Sequence, residues 1–177
     1  MRIIGGRYRK KSIHPPRDLQ ARPTTDFAKE GLFNIIINQY DIEDLQVLDL
    51  FSGTGSIAYE FASRECKWID CVDNHPVHYH FIRNTARELD FEQLAVYKAD
   101  VFQFLRTCSR QYDVVFADPP YNLDNIELLP QLVFEKNVLH EAGMFILEHG
   151  ANTNFQEVEQ YHRTKKYGSV HFSFFKP

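Results

Sequence analysis

The feature that most constrains the fold is the stretch of residues 113–122, which reads Asp-Val-Val-Phe-Ala-Asp-Pro-Pro-Tyr-Asn. Its first half is a run of β-forming residues typical of a strand buried on both faces. Pro119 and Pro120 cannot donate ladder hydrogen bonds, so they end the strand directly after Asp118. The pattern therefore places Asp118 at the carboxyl end of a buried strand, where open α/β sheets bind ligands.

The residues at this strand end suit the chemistry of an amino group. An Asp118 oxygen and the Pro119 carbonyl can both accept hydrogen bonds from one amine, which holds it pyramidal with its lone pair directed at an electrophile. Tyr121 offers a flat face for a nucleobase, a contact worth roughly 1–3 kcal/mol per base. The structural alternative is a rigid turn with a solvated aspartate and a core tyrosine.

A second apolar segment, residues 46–51, leads into the glycine loop Ser52-Gly53-Thr54-Gly55 and then into a helical pattern. Strand, glycine loop and helix form the opening of a nucleotide-binding βαβ unit. The loop departs from the dinucleotide pattern G-x-G-x-x-G, and Asp49 would repel a pyrophosphate. An acid here suits a ligand that carries an ammonium group, and the glycines allow the backbone to approach it closely.

Two more apolar segments, residues 68–73 and 94–100, also end in an acid. Asp73 lies about twenty residues beyond the glycine loop, where a carboxylate that binds two ribose hydroxyls is expected. Asp100 can accept a hydrogen bond from an adenine amino group, cap the helix that starts at Val101, or do both.

The whole pattern predicts five β-α units followed by a closing hairpin. We expect a Rossmann-like, doubly wound α/β fold: a mostly parallel seven-stranded sheet with a C-terminal antiparallel hairpin, in one domain of residues 1–177. The acids at the carboxyl ends of successive strands then converge on one crevice. Asp124 is predicted to cap a helix that runs to about Leu139.

Charge is distributed unevenly along the chain. Its formal net charge is −4, but residues 2–22 hold seven basic residues against one acid, and the remainder holds 13 against 23. A basic arm (residues 1–22) therefore precedes an acidic core (residues 23–177), which suggests a local anionic partner rather than binding of anions over the whole surface. For the charge run by itself, an ordinary solvated terminal segment is the favoured alternative. The arm's candidate nucleic-acid contacts, in a short hairpin or ribbon, combine basic groups for phosphate with one ring for stacking: Arg7, Tyr8, Arg9, Lys10 and Lys11.

Composition excludes several other classes of protein. A hydrophobic content of 44% argues against disorder. No apolar run approaches a membrane span, and the first residues lack the apolar core of a signal peptide, so we expect a cytoplasmic protein without membrane contact. The three cysteines lack C-x-x-C spacing, which predicts reduced thiols rather than disulfides or a zinc site. For His75, His78 and His80 we predict solvated side chains and no metal site, because no further ligand completes a set.

Four segments in the expected order resemble the class I S-adenosylmethionine-dependent methyltransferases with a D-P-P-Y motif, which methylate exocyclic amino groups. The closer resemblance is to the RsmD family, which methylates N2 of a guanine in small-subunit (16S) ribosomal RNA. The segments cover the chain nearly end to end: residues 2–9, 22–26, 47–56 and 118–121.

The resemblance implies S-adenosylmethionine as cofactor and ribosomal RNA, within a small-subunit particle, as partner of a monomeric enzyme. It implies that the target base contacts Asp118, Pro119, Pro120 and Tyr121, and that the basic arm contacts RNA. The implied cofactor-binding residues follow the ligand from its methionine end to its adenine: Arg22, Thr24, Thr25, Asp49, Ser52, Gly53, Thr54, Gly55, Asp73, Asn74, Asp100 and Val101.

Three alternatives remain at this point. The first is a DNA or RNA amino-methyltransferase acting on adenine N6 or cytosine N4, because the residues alone do not separate these acceptors from guanine N2. The second is a dinucleotide-dependent oxidoreductase, which the glycine spacing and Asp49 disfavour. The third is an RNA-binding relative without activity, which the complete acceptor motif of residues 118–121 disfavours.

Overall fold

The alternation of strand and helix patterns produces one twisted sheet in the computed structural model, which describes residues 1–16, 19 and 24–177. Among these residues the sheet has seven strands, in the order β3-β2-β1-β4-β5-β7-β6. Neighbouring strands from β3 to β5 are parallel, and β7 is antiparallel to both of its neighbours, as predicted. The strands are β1 (Gln46–Leu50), β2 (Trp68–Asp73), β3 (Leu94–Lys98), β4 (Tyr112–Ala117), β5 (Leu139–His149), β6 (Tyr161–Tyr167) and β7 (Val170–Phe175).

Helices cover both faces of this sheet, which explains why its central strands are almost continuously buried. One face packs against the first three helices and the other against the last two. None of the helices in the described part of the chain is long and apolar enough to span a membrane. The helices are α1 (Asp26–Ile37), α2 (Ser56–Ser63), α3 (Pro76–Glu88), α4 (Val101–Thr107) and α5 (Leu128–Glu135), with a 3₁₀ turn at Ile42–Asp44.

The start of the basic arm forms a hairpin, which we call the N-terminal hairpin (residues 1–13). Its two sides are joined by a β-bridge between Arg2 and Ser12 and by a hydrogen bond of 2.9 Å from the Ile3 N–H to the Lys11 carbonyl. Ile3 and Ile13 are buried in the same cluster as α1 and α2. The hairpin is therefore part of the domain core rather than a free arm.

A buried ionic network holds this hairpin in place. Glu60, fully buried on α2, accepts a hydrogen bond from the Ile4 N–H at 2.9 Å and pairs with Arg64 at 2.9 Å. Lys29 on α1 is 1% exposed, lies 3.6 Å from Glu60 and donates to the Arg2 carbonyl at 2.6 Å. Burial lowers the pKa of Lys29, and the Glu60 carboxylate opposes this effect. Each charge therefore needs the other to remain inside the core.

Two predicted boundaries were wrong. The helix expected from Asp124 to Leu139 is shorter: residues 124–127 form turns, with Asn125 in the left-handed region at φ 65°, and α5 begins at Leu128. Asn137, at φ 50°, lies just after α5, and β5 begins at Leu139, paired with Tyr112. The predicted long helix does not form because a residue in the left-handed region interrupts a helix, and such residues lie on both sides of α5. The buried Leu139 extends the sheet instead.

Candidate active site

Acids from four neighbouring strands line the carboxyl edge of the sheet. Asp49 is paired with Phe116, and Phe116 with Ile146, across β1, β4 and β5. Side chains alternate along a strand, so residues two positions beyond Phe116 and Ile146 face the same side as Asp49. Those residues are Asp118 and Glu148. The crevice between β1 and β4, where the strand order reverses, is the ligand-binding position of a doubly wound sheet.

The glycine loop after β1 is held in an unusual backbone conformation. Phe51, Gly53 and Gly55 all lie in the left-handed region, at φ 56°, 54° and 81°. A Cβ atom on Gly55 would come within 2.7 Å of the Tyr59 ring, so this position requires glycine. Phe51 is not glycine, and such a residue costs about 1–3 kcal/mol, a strain that concentrates at functional sites.

A cavity of about 40 Å³ lies between this loop and the end of β4. A cavity of this size holds a few water-sized groups. It therefore admits the polar end of a ligand, whereas a nucleoside has to lie in the open crevice beside it. Its lining includes five of the residues predicted to bind the cofactor and the predicted acceptor acid: Thr24, Asp49, Ser52, Gly53, Thr54 and Asp118.

Asp49 is a buried acid of the cavity, and its pKa is strongly raised. Its side chain is 1% exposed, and its Oδ2 atom has no hydrogen-bond partner among the described residues. Burial raises its pKa to about 8; a hydrogen bond from Ser52 opposes the rise and the charge of Asp73 adds to it. A cationic donor placed against Oδ2 would supply the missing partner and favour the carboxylate.

Asp73 is tied to the loop and to the start of α3. Its Oδ2 accepts the Gly53 N–H at 2.8 Å, and its Oδ1 accepts the His75 N–H at 2.8 Å. The Nδ1 atom of His78 lies 3.1 Å from the same Oδ1. The prediction of a solvated histidine was therefore wrong for His78, because the first turn of α3 directs it back onto the strand end. Within the described ranges, no group of three or more His, Cys, Asp or Glu side chains is placed to hold a metal ion.

Five more residues were predicted to bind the cofactor. Asp100 caps α4 by accepting the Gln103 N–H at 2.9 Å, and its side chain is exposed at the crevice end of the sheet. Val101 is 2% exposed within the core, so its side chain is not available to a ligand. The exposed Thr25 caps α1 through the Ala28 N–H at 3.2 Å. Asn74 is exposed, and Arg22 lies outside the described residues.

The acceptor motif lies beside a carboxylate that the sequence analysis missed. Glu148 is 3% exposed; its Oε2 accepts the Thr24 hydroxyl at 2.9 Å and its Oε1 accepts the Tyr121 hydroxyl at 3.4 Å. Burial first, then the charges of Glu148 and Asp49, raise the pKa of Asp118 well above its usual range. Glu148 follows the same rule as the other acids, since it lies near the carboxyl end of β5. Applying that rule to the fifth strand would have found it.

The predicted acceptor residues differ in exposure. Pro119 is buried and Pro120 is exposed, while the Tyr121 ring is 53% exposed at the mouth of the crevice. The Asp118 N–H donates to the Leu50 carbonyl at 3.3 Å, which ties the end of β4 to β1. The motif is thus a strand end followed by a half-exposed aromatic side chain.

The five predicted nucleic-acid contacts separate into two groups. Arg7, Arg9, Lys10 and Lys11 are exposed on the N-terminal hairpin. Tyr8 is half-buried, with its ring edge-on to the core residue Phe91 at a centroid distance of 5.3 Å. Its backbone N–H also donates to the Ser63 hydroxyl at 2.9 Å, so Tyr8 anchors the hairpin.

The fold and the row of acids at the carboxyl edge define a class I methyltransferase. The family model described as Conserved hypothetical protein 95 matches residues 1–176, and the chain belongs to this family, the RsmD family. The resemblance drawn from the four sequence segments is thereby confirmed.

Individual relatives support this assignment. The chain is 28% identical over 180 residues to ribosomal RNA small subunit methyltransferase D of Escherichia coli (strain K12), covering 99% of this chain and 89% of the relative. It is 30% identical over 152 residues to the Haemophilus influenzae protein of the same name, covering 84% and 78%. The solved structure of Escherichia coli yhhF superposes with a TM-score of 0.87 at 26% identity, covering 99% of this chain and 96% of that one.

Proposed function

We propose that the protein transfers a methyl group from S-adenosylmethionine to the exocyclic N2 amino group of a guanine in small-subunit ribosomal RNA. Family membership supports a methyltransferase acting on ribosomal RNA, and the relatives named above carry that activity in their names. One structural observation supports the proposal further: Asp118 lines the same cavity as Asp49, whose buried Oδ2 atom has no hydrogen-bond partner among the described residues. A donor site and an acceptor site thus adjoin each other.

The residues of the cavity fit the amino-acid part of the cofactor. The ammonium group suits Asp49 Oδ2, which lacks a partner among the described residues. The left-handed glycine loop removes side-chain bulk, so backbone amides can approach the ligand. The ribose fits the position of Asp73 and the adenine that of Asp100, with the Phe51 and Phe102 rings, 6.5 Å apart, as an apolar wall. When bound, S-adenosylmethionine supplies a methyl group on a sulfonium, whose departure as a neutral sulfide requires no acid from the protein.

Asp118 and Pro119 prepare the nucleophile. A carboxylate oxygen and a carbonyl oxygen accept the two N2 hydrogens and direct the nitrogen lone pair toward the cavity. Once the nitrogen is methylated it gives up one proton. Because burial and neighbouring charges raise the pKa of Asp118, its carboxylate is a suitable acceptor for that proton. Alignment and hydrogen bonding are the main contributions of the protein.

The target base has to leave its helix to reach this crevice. A guanine stacked within a duplex cannot contact a strand end, so the enzyme acts on an unstacked or flipped nucleotide. The half-exposed Tyr121 ring offers a stacking face at the mouth. The exposed basic residues of the N-terminal hairpin bind the RNA backbone. The substrate is an assembling small subunit in the cytoplasm, and the enzyme acts on it as a monomer.

Replacing Asp118 by Asn tests the proposal, because the amide keeps the shape of the side chain and removes its charge. We expect N2-methylguanosine formation on unmodified small subunits to fall at least about a hundredfold. Calorimetric binding of S-adenosylmethionine should remain close to that of the wild type, since Asp49 is intact. Near-normal turnover by this variant would contradict the assigned role. The exposed Asp44, on the 3₁₀ turn, provides a control through Asp44→Asn.

A further inference from the structure

We infer that Glu148 contacts the target base and selects guanine by accepting a hydrogen bond from its N1–H. The inference rests on the proposed function and assigns the choice of acceptor base to one residue. Glu148 belongs to β5, the strand next to β4, on the side of Asp118 away from Asp49. The cofactor side of the crevice is thus formed by β1 and β2, and the base side by β4 and β5.

The contacts of Glu148 fix where its carboxylate points. Thr24, in the segment before α1, donates to Oε2 at 2.9 Å and sets the orientation of the group. Oε1 is turned toward the Tyr121 hydroxyl at 3.4 Å, and Tyr121 is the ring on which the base is proposed to stack. The oxygen facing Tyr121 therefore faces the edge of a base that lies against that ring.

The proximity of Glu148 to Asp118 matches the donor pattern of guanine. The Watson–Crick edge of guanine carries the N2 amine next to an N1–H, so two adjacent positions donate hydrogen bonds. Adenine and cytosine carry their amines next to an unprotonated ring nitrogen, which is an acceptor. Two neighbouring carboxylates satisfy both donors of guanine, whereas with adenine or cytosine the second carboxylate would face another acceptor. A site built to pair one group rejects analogues that lack it.

Asp118 and Glu148 are close enough for their charges to interact. After burial, the charge of Glu148 is the largest cause of the raised pKa of Asp118. A base that brings two adjacent hydrogen-bond donors to this side of the crevice can give one donor to each carboxylate.

The substrate analogue that tests this inference is 2-aminopurine, which keeps the 2-amino group of guanine but has an acceptor at N1. Small subunits are reconstituted with RNA that carries guanine or 2-aminopurine at the position methylated by the wild type. We expect wild-type kcat/KM to be at least about tenfold lower for 2-aminopurine. In Glu148→Gln, the amide can donate to N1 of 2-aminopurine, so the preference for guanine should shrink to less than about threefold. Glu141→Gln, at the exposed start of β5, should keep the wild-type preference.

Three results would overturn the inference. The first is a Glu148→Gln enzyme that forms N2-methylguanosine and keeps the wild-type preference for guanine over 2-aminopurine. The second is a wild-type enzyme that methylates both bases equally well, a comparison that requires no variant to fold. In both cases the proposed function stands without this role for Glu148. In the third, the wild type forms no N2-methylguanosine, and the proposed function fails as well.

Discussion

Replacing Asp49 by Asn should stabilise the folded protein increasingly as the pH rises. The folded protein raises the pKa of this carboxyl from its ordinary 3.8 to about 8, mainly by burial. Between these values the unfolded chain ionises Asp49 while the folded chain keeps it protonated, so folding takes up a proton. The contribution of Asp49 to stability is therefore fully present below pH 3.8 and declines through this window.

The size of the effect follows from the same two pKa values. Each pH unit within the window weakens the contribution of Asp49 by about 1.4 kcal/mol. Asparagine does not titrate, so the free energy of unfolding of the variant lacks this slope. Between pH 5 and pH 7 the variant should gain roughly 3 kcal/mol on the wild type. Any constant cost of burying the amide shifts both values equally and leaves the difference between them unchanged.

The assay is urea unfolding of cofactor-free protein at pH 5, 6, 7 and 8 at fixed ionic strength. Asp44→Asn, the same replacement at an exposed position, controls for the loss of a carboxylate from the unfolded chain. The Asp49→Asn variant should also bind S-adenosylmethionine measurably more weakly than the wild type, because it no longer offers a carboxylate to the ammonium group. A stability difference that is the same at pH 5 and pH 8 would refute the reasoning about this buried acid.

Three further predictions concern the N-terminal hairpin and the glycine loop. Replacing the four exposed basic residues Arg7, Arg9, Lys10 and Lys11 together by Ala should weaken RNA binding. In salt titrations, the slope of the logarithm of the RNA binding constant against the logarithm of the salt concentration should fall by up to about 3. Unchanged binding would mean that the hairpin has only a structural role. Glu60→Gln should lower the free energy of unfolding by about 3–5 kcal/mol, since it leaves Lys29 buried without its counter-charge. Limited trypsin digestion should then cut the hairpin first, and an uncut hairpin would argue against this anchoring. Gly55→Ala should destabilise the protein by at least about 1 kcal/mol, measured by urea unfolding, because its φ of 81° and the Tyr59 ring exclude a Cβ.

Local sequence patterns predicted the strands of the sheet and the positions of its acids, because both depend on short segments. A buried apolar run followed by an acid or a proline pair marks a strand and its end within six residues. Asp49, Asp73 and Asp118 follow this rule, and in the structure they lie at the carboxyl edge of the sheet. The roles of these residues in binding and catalysis stay predictions.

Contacts between distant residues could not be predicted in this way. Glu60 binds the Ile4 N–H across 56 positions, and Thr24 binds Glu148 across 124, and no local periodicity reveals either pair. The first contact explains why the basic arm is in fact a docked hairpin, and the second orients the carboxylate of Glu148. The strand-end rule could have identified Glu148, but it could not have identified the hydrogen-bond partners of Glu148.

We propose above all that the crevice holds a methyl donor next to the N2 amine of a guanine in ribosomal RNA. The most direct test incubates the wild-type protein with isotope-labelled S-adenosylmethionine and small ribosomal subunits that have not been modified, followed by digestion to nucleosides and mass spectrometry. We expect label in N2-methylguanosine. Label in N6-methyladenosine or N4-methylcytidine, or no label in the RNA, would contradict it.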